Sequence, residues 1–236
     1  NCSISETVVK FEAARSMRSE NQVLQEMKEA YSAMKQSIEK GLEKENELLG
    51  NIFRGNAAKM DNYIKRNKSI CGISLSKVIR NALAVMEVNG SMGKVVACPT
   101  AGSAGTVPAA VFTVAEENNL KDEDVIITEL FGGDYDQILS SVSLSLGNVL
   151  GMVCDPVAGM VEIPCIQRNA ISAVNAILSA EMALAGVDSV IPADEMIGAL
   201  NEVGELMDER LKDTLGAGIS NTPTARKIEQ ETFGTK

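Results

Sequence analysis

The chain has 236 residues, 45% of them hydrophobic, with a formal net charge of -10 and no histidine; the length suits one well-buried core. The acidity argues against a nucleic-acid partner, whose phosphates are held by clustered Lys and Arg, and no apolar run approaches the roughly 20 residues that span a bilayer, so no membrane contact is expected. Five cysteines and no secretory apolar segment lead to the expectation of reduced thiols and a cytoplasmic protein.

From about Ser5 to Leu49, Val23, Leu24, Met27, Ala30, Met34 and Ile38 recur at three- and four-residue steps, which predicts a helical arm over residues 1–50. Gly50 to Asn56 interrupts it, and a second helix is expected from Ala57 to Asn67. Ser74 to Asn89 repeats the helical spacing, with Leu75, Val78, Ile79, Ala82, Leu83 and Met86 turned inward. Gly90, Gly93, Gly102 and Gly105 then bracket Lys94-Val-Val-Ala-Cys98, read as a buried loop. Pro108 suits the first turn of a helix running to about Asn118, and Asp122 is placed to cap a helix from Glu123 to Phe131. Asp134 to Met152 reads as a helix, and Ile166 to Leu184 as a central buried one, because it is apolar around much of its circumference. Pro192 opens a last long helix that ends near Leu215, before Gly216 and Gly218. With no repeat and no linker, the fold class is mainly α, a single helical domain over 1–236 whose glycine-rich loops form the site.

The absence of histidine rules out a Ser-His-Asp or Cys-His nucleophile, a His-bound zinc and an imidazole base from this chain alone. Cysteine offers other chemistry in the run Cys154-Asp-Pro-Val-Ala-Gly-Met-Val-Glu-Ile-Pro-Cys165-Ile-Gln-Arg168-Asn169. On one helix, eleven residues would separate the two thiols by roughly 16 Å, too far for one metal centre. Pro156, Gly159 and Pro164 forbid that helix and bend the segment, which lets Cys154 and Cys165 converge. Soft thiolates select zinc or an iron-sulfur cluster, and spacing alone does not choose between them. Two ordinary buried thiols are the plain alternative.

Four stretches resemble the alpha chain of the two-chain bacterial, iron-sulfur-dependent L-serine dehydratases: Glu87-Val-Asn-Gly-Ser-Met-Gly93, Cys98-Pro-Thr-Ala-Gly-Ser-Ala-Gly105, the block from Cys154 to Asn169, and Thr222-Pro-Thr-Ala-Arg226. Their order and spacing agree from about Gln22 onward. The resemblance implies a lyase of amino-acid degradation and gluconeogenesis that deaminates L-serine, working with a separate beta chain in an oligomer. It implies a 4Fe-4S cluster on three cysteines, with one open iron as the Lewis acid that assists loss of hydroxide while a base takes the α-proton. Aminoacrylate then hydrolyses to pyruvate and ammonia. Cys154 and Cys165 match the family's second and third ligands.

The first ligand has no counterpart. Relatives carry several dozen residues, including a Gly-Cys-Gln motif, where Leu130-Phe131 here runs straight into Gly132-Gly133. Either that segment is deleted or it belongs to the protein without being in this sequence, and the second is expected, since deletion would bare apolar surface. Cys98 is read as a buried core thiol, and Cys71 and Cys2 as bystanders.

Small residues, hydroxyls and exposed amides around Ser91-Met-Gly93 and Pro99 to Gly105 can form a concavity for a carboxylate, or can simply pack tightly between helices. The resemblance makes Asn89, Ser91, Thr100 and Ser103 candidate substrate contacts, joined by Arg168 and Asn169 beside Cys165. Arg168 can pair with a substrate carboxylate or tie down Asp155 or Glu162; the roles of Lys94 and Asp155 stay open, and the general base is unassigned. The rival functions are a cluster-deficient structural or regulatory chain of the same fold and a zinc or redox protein using the two cysteines.

Overall fold

A computed structural model of the chain describes residues 4–43, 48–50, 52, 55–66, 69–120 and 133–234. The N-terminal arm is two helices rather than one, α1 (Ile4–Ser16) and α2 (Glu20–Gly41). Met17 adopts φ 53° between them, and Ser19 starts α2 with a reciprocal cap in which its hydroxyl accepts from Gln22 N and the Gln22 side chain accepts from Ser19 N. That exchange satisfies two helix-end donors and so favours a fresh start over a continuous helix.

Helix α3 (Asn56–Lys65) lies close to the expected span, and α4 (Gly72–Gly90) is the centre on which α2, α3 and α5 (Thr106–Glu117) pack. Small side chains allow the close approach. A Cβ on Gly41 would collide with the backbone of Ala84, and Val78, Ala82 and Ala109 are buried together. Met86, with no exposed surface, anchors a second cluster with Ile38, Leu48, Ala57 and Ala104, and its burial contributes roughly 2 kcal/mol. Lys94 to Cys98 forms no strand, but it is half-exposed rather than buried, and Lys94 and Ala97 face solvent. Asp122 and the helix expected from Glu123 to Phe131 lie outside the described residues.

Helix α6 (Tyr135–Gly147) begins with an Asp134–Gln137 reciprocal cap and ends earlier than expected, since the chain turns out through Gly151 at φ 78°. Helix α7 (Cys165–Leu184) packs on α4, α5 and α6 and inserts Ile166 and Ala173 fully into the core. Helix α8 (Ala193–Leu206) also stops short of the expected Leu215, because Asp208 accepts from Arg210 N and opens a 3-10 turn at Glu209–Leu211. A further helix, α9 (Pro223–Phe233), was not expected; Thr222 caps it by accepting from Ala225 N, with Pro223 in the first turn. The described residues contain no strand, and the fold is mainly α.

Candidate active site

The loop from Cys154 to Pro164 is bent as its prolines and Gly159 require, with Gly159 at φ 69°. It is closed internally by Val157 N donating to Ile163 O at 2.8 Å. Its two ends are then fixed differently. Cys165 is the first residue of α7, where unpaired amides and the helix dipole favour negative charge. Cys154 is held from outside by a two-residue parallel bridge to the chain after α8: Cys154 N donates to Leu211 O at 2.9 Å, and Asp213 N donates to Cys154 O at 2.7 Å.

That bridge brings Asp213 to the thiols. Cys154 Sγ donates to Asp213 Oδ1 at 3.5 Å. Cys154 is pushed up to about 11, first by desolvation, then by the Asp213 carboxylate, with Cys165 adding to the shift and Arg168 opposing it. Burial likewise pushes the Cys165 thiol up, opposed by the Arg168 guanidinium. Each mutual influence places Cys154, Cys165, Arg168 and Asp213 in one locality. A thiol in this state is a poor nucleophile, and a cation is what would favour its ionised form.

Asp155, only 2% exposed, braces the floor. Its Oδ1 accepts from Arg168 Nη1 at 2.8 Å and its Oδ2 from Ile219 N at 2.6 Å, while Arg168 Nη1 also reaches Val153 O at 2.7 Å. Gly218, at φ 66°, leaves room for this carboxylate, which a Cβ there would strike. Of the two acids offered to Arg168 by the sequence, the structure pairs it with Asp155. Glu162 is turned away to accept from Gly50 N and Ile52 N.

Asn169 joins the cysteine loop to the glycine-rich turn. Its Nδ2 donates to both Cys165 O (2.9 Å) and Gly102 O (2.7 Å), and its Oδ1 accepts from Gly105 N (3.0 Å). Within that turn Ser103 Oγ donates to Cys98 O at 2.8 Å, Thr100 Oγ1 lies 3.0 Å from Ser103 Oγ, and Asn89 Nδ2 donates to Ala101 O at 2.9 Å. Asn89, Thr100, Ser103 and Asn169 are thus gathered with Cys165. Ser91 is bonded back to Val88 O at the end of α4, and Lys94 is exposed beyond it. Cys98 is half-buried rather than a core residue, with its thiol pushed up by burial, and Cys71 is exposed.

Two pieces of the chain, residues 1–127 and 125–220, match the family described as serine dehydratase alpha chain. A probable L-serine dehydratase alpha chain of Bacillus subtilis is 35% identical over 271 aligned residues, covering 98% of this chain and 90% of the relative. The chain belongs to the serine dehydratase alpha chain family. Other members include the L-serine dehydratase alpha chain of Peptoniphilus asaccharolyticus, 32% identical over 97% of this chain and 92% of that one. A probable alpha chain of Latilactobacillus sakei is 37% identical over 67% of this chain and 95% of its own.

The match to the Bacillus subtilis relative runs over 271 aligned positions against the 236 residues here, and the two matched pieces meet at 125–127. That junction is close to Phe131 and Gly132, and both residues lie outside the described ones. The residues present fit part of a three-thiolate donor set: Cys154 and Cys165 share one locality beside a helix N-terminus. Among the described residues no group of three or more Cys, His, Asp or Glu is arranged to hold a metal ion. Asp213 and Gly218 escaped sequence reading because they reach the site over 59 and 63 residues of chain, with only the glycines near 216–218 to mark a turn.

Proposed function

We propose that this chain is the alpha chain of a two-chain L-serine dehydratase that converts L-serine to pyruvate and ammonia, with Cys154 and Cys165 as two of three thiolates for a 4Fe-4S cluster. The observation that carries the reading is the convergence of Cys154 and Cys165, beside the glycine-rich turn, in a chain of this family. When bound, the cluster would supply the Lewis acid that assists departure of the substrate hydroxyl.

The chain's own residues bind and orient. Among the described residues Arg168 bonds through Nη1, to Val153 and Asp155, which offers Nε and Nη2 to a substrate carboxylate. Thr100 and Ser103 offer hydroxyls, and Asn89 and Ser91 flank the same turn. Asn169 holds that turn against Cys165, so the substrate's polar end and the thiolates keep a fixed separation. With no histidine in the chain, the group that takes the α-proton is a Lys, Asp, Glu, Ser or Cys of this chain or a residue of the beta chain, in a cytoplasmic oligomer of both chains. No helix among the described residues is long and apolar enough to cross a membrane.

Anaerobic reconstitution with iron and sulfide, in the presence of the beta chain, tests this. Broad visible absorption together with pyruvate formed from L-serine is the expected result. Zinc retained without pyruvate, or neither cluster nor pyruvate, would overturn it in favour of a metal-binding or purely structural chain.

A further inference from the structure

A second cavity, of about 370 Å³, opens between α3, α4 and the first turn of α7, on the side of α7 that carries Ile166 and Gln167. Its wall is apolar, made by Met60, Tyr63, Leu83 and Ile166, but its corners are polar. Asn56 Nδ2 and Gln167 Oε1 are buried there without hydrogen-bond partners. Glu87, 1% exposed, stands directly behind Asn56: its Oε1 accepts from Asn56 N at 2.5 Å, and its Oε2 is buried and unpaired. The Asn56 amide lies against this carboxyl and favours its charge, yet is not directed to form a good hydrogen bond with Oε2.

Buried polar atoms in native proteins are almost always paired, so Asn56 Nδ2 and Gln167 Oε1 at this wall call for a partner. One water does not suffice, because its share of liquid volume is only about 30 Å³ and the wall is mostly apolar. The size falls instead in the range of small-molecule sites. The polar groups also divide by sign. Lys59 Nζ lies 3.4 Å from Asn56 Oδ1, so an ammonium and an amide N–H stand side by side as donors. Gln167 Oε1 is the acceptor at the wall.

We infer that this cavity binds a free α-amino acid with an aliphatic side chain, its carboxylate on Lys59 and Asn56, its ammonium towards Gln167, and its side chain against Met60 and Leu83. The occupant is distinct from the serine of the cysteine site, since its side chain meets the apolar Met60 and Leu83. It rests on the turn of α7 that follows Cys165, and so braces the helix that presents that thiol.

Saturation-transfer NMR and calorimetry on the whole chain with L-leucine as probe test the inference. L-leucine is expected to bind, with 4-methylpentanoate (no ammonium) and isoamylamine (no carboxylate) each at least about tenfold weaker. Gln167→Met and Lys59→Met are each expected to weaken L-leucine about tenfold, while Cys154→Ser leaves it unchanged. Lys59 is exposed, so its variant keeps the test open if the Gln167 variant folds poorly. Absence of L-leucine binding, equal binding of either analogue, or unchanged affinity in the Lys59 variant would overturn the assignment.

Discussion

Asp213 Oδ1 accepts from the Sγ of Cys154 at 3.5 Å, and the bridge that creates this contact pairs the backbone of the cysteine loop with the chain beyond α8. The carboxylate adds to desolvation in raising Cys154 to about 11. In the cluster-free chain Cys154 is therefore exposed yet unreactive, since the thiolate is the nucleophile. Its alkylation by iodoacetamide is expected to rise with pH by about tenfold per unit below that value. Asp213→Asn removes the charge and should speed the reaction at neutral pH. Peptide mapping by mass spectrometry reads both rates, and identical rates would show that the carboxylate has no influence.

Cys154→Ser and Cys165→Ser test the thiolates as ligands. Each is expected to abolish iron retention after reconstitution while leaving the helical circular dichroism intact, because Cys154 is exposed and Cys165 is a partly exposed residue at the first position of α7, where serine is close in size. Wild-type iron content in either variant would remove that cysteine from the donor set.

Glu87 carries a pH dependence. Desolvation raises its carboxyl above the ordinary glutamate range, against the opposing hydrogen bonds from Asn56 and Ala57. The folded chain thus holds a proton that the unfolded chain has released. Stability from this group is full below the unfolded value and falls as pH rises towards the raised folded value. Glu87→Gln should flatten that part of the stability profile and narrow the gap to wild type as pH increases. Urea titrations across the window decide it; parallel profiles for both proteins would contradict the assignment.

The anchors of the site should be costly to remove. Asp155→Ala strips the partner from Arg168 Nη1 and from Ile219 N, and is expected to destabilise by about 3 kcal/mol, as loss of one member of a buried pair does. Asn169→Ala leaves Gly105 N and Gly102 O without their side-chain partner, for a loss of about 2 kcal/mol. Shifts in the urea midpoint measure both, and a change within a few tenths of a kcal/mol in either would show that loop water replaces the lost bonds.

What the sequence made legible was what is local. The periodicity of α4 and α7 located the core, and proline and glycine between Cys154 and Cys165 forced the bend that brings the thiols together. Some local markers were present but outweighed. Ser19 and Gln22 sit at capping-box spacing inside an apolar pattern that otherwise reads as one helix, and Thr222-Pro223 opens a helix too polar to show a strong apolar stripe. Asp208 ends α8 by a single side-chain bond that periodicity cannot register. The pairing of Cys154 with Leu211 and Asp213, and of Asp155 with Ile219, is settled only by packing between distant segments. The cavity beside Gln167 is equally a product of three helices, and none of its residues forms a motif along the chain.

The dependence of the cysteine loop on residues 211–219 also fixes an order of events during synthesis. Cys154 and Asp155 leave the ribosome well before Leu211, Asp213 and Ile219, the residues whose backbone holds them in place. The loop takes its shape only once residues 211–219 have been made. Before those residues emerge, the segment from Cys154 to Cys165 has no partner to hold its shape.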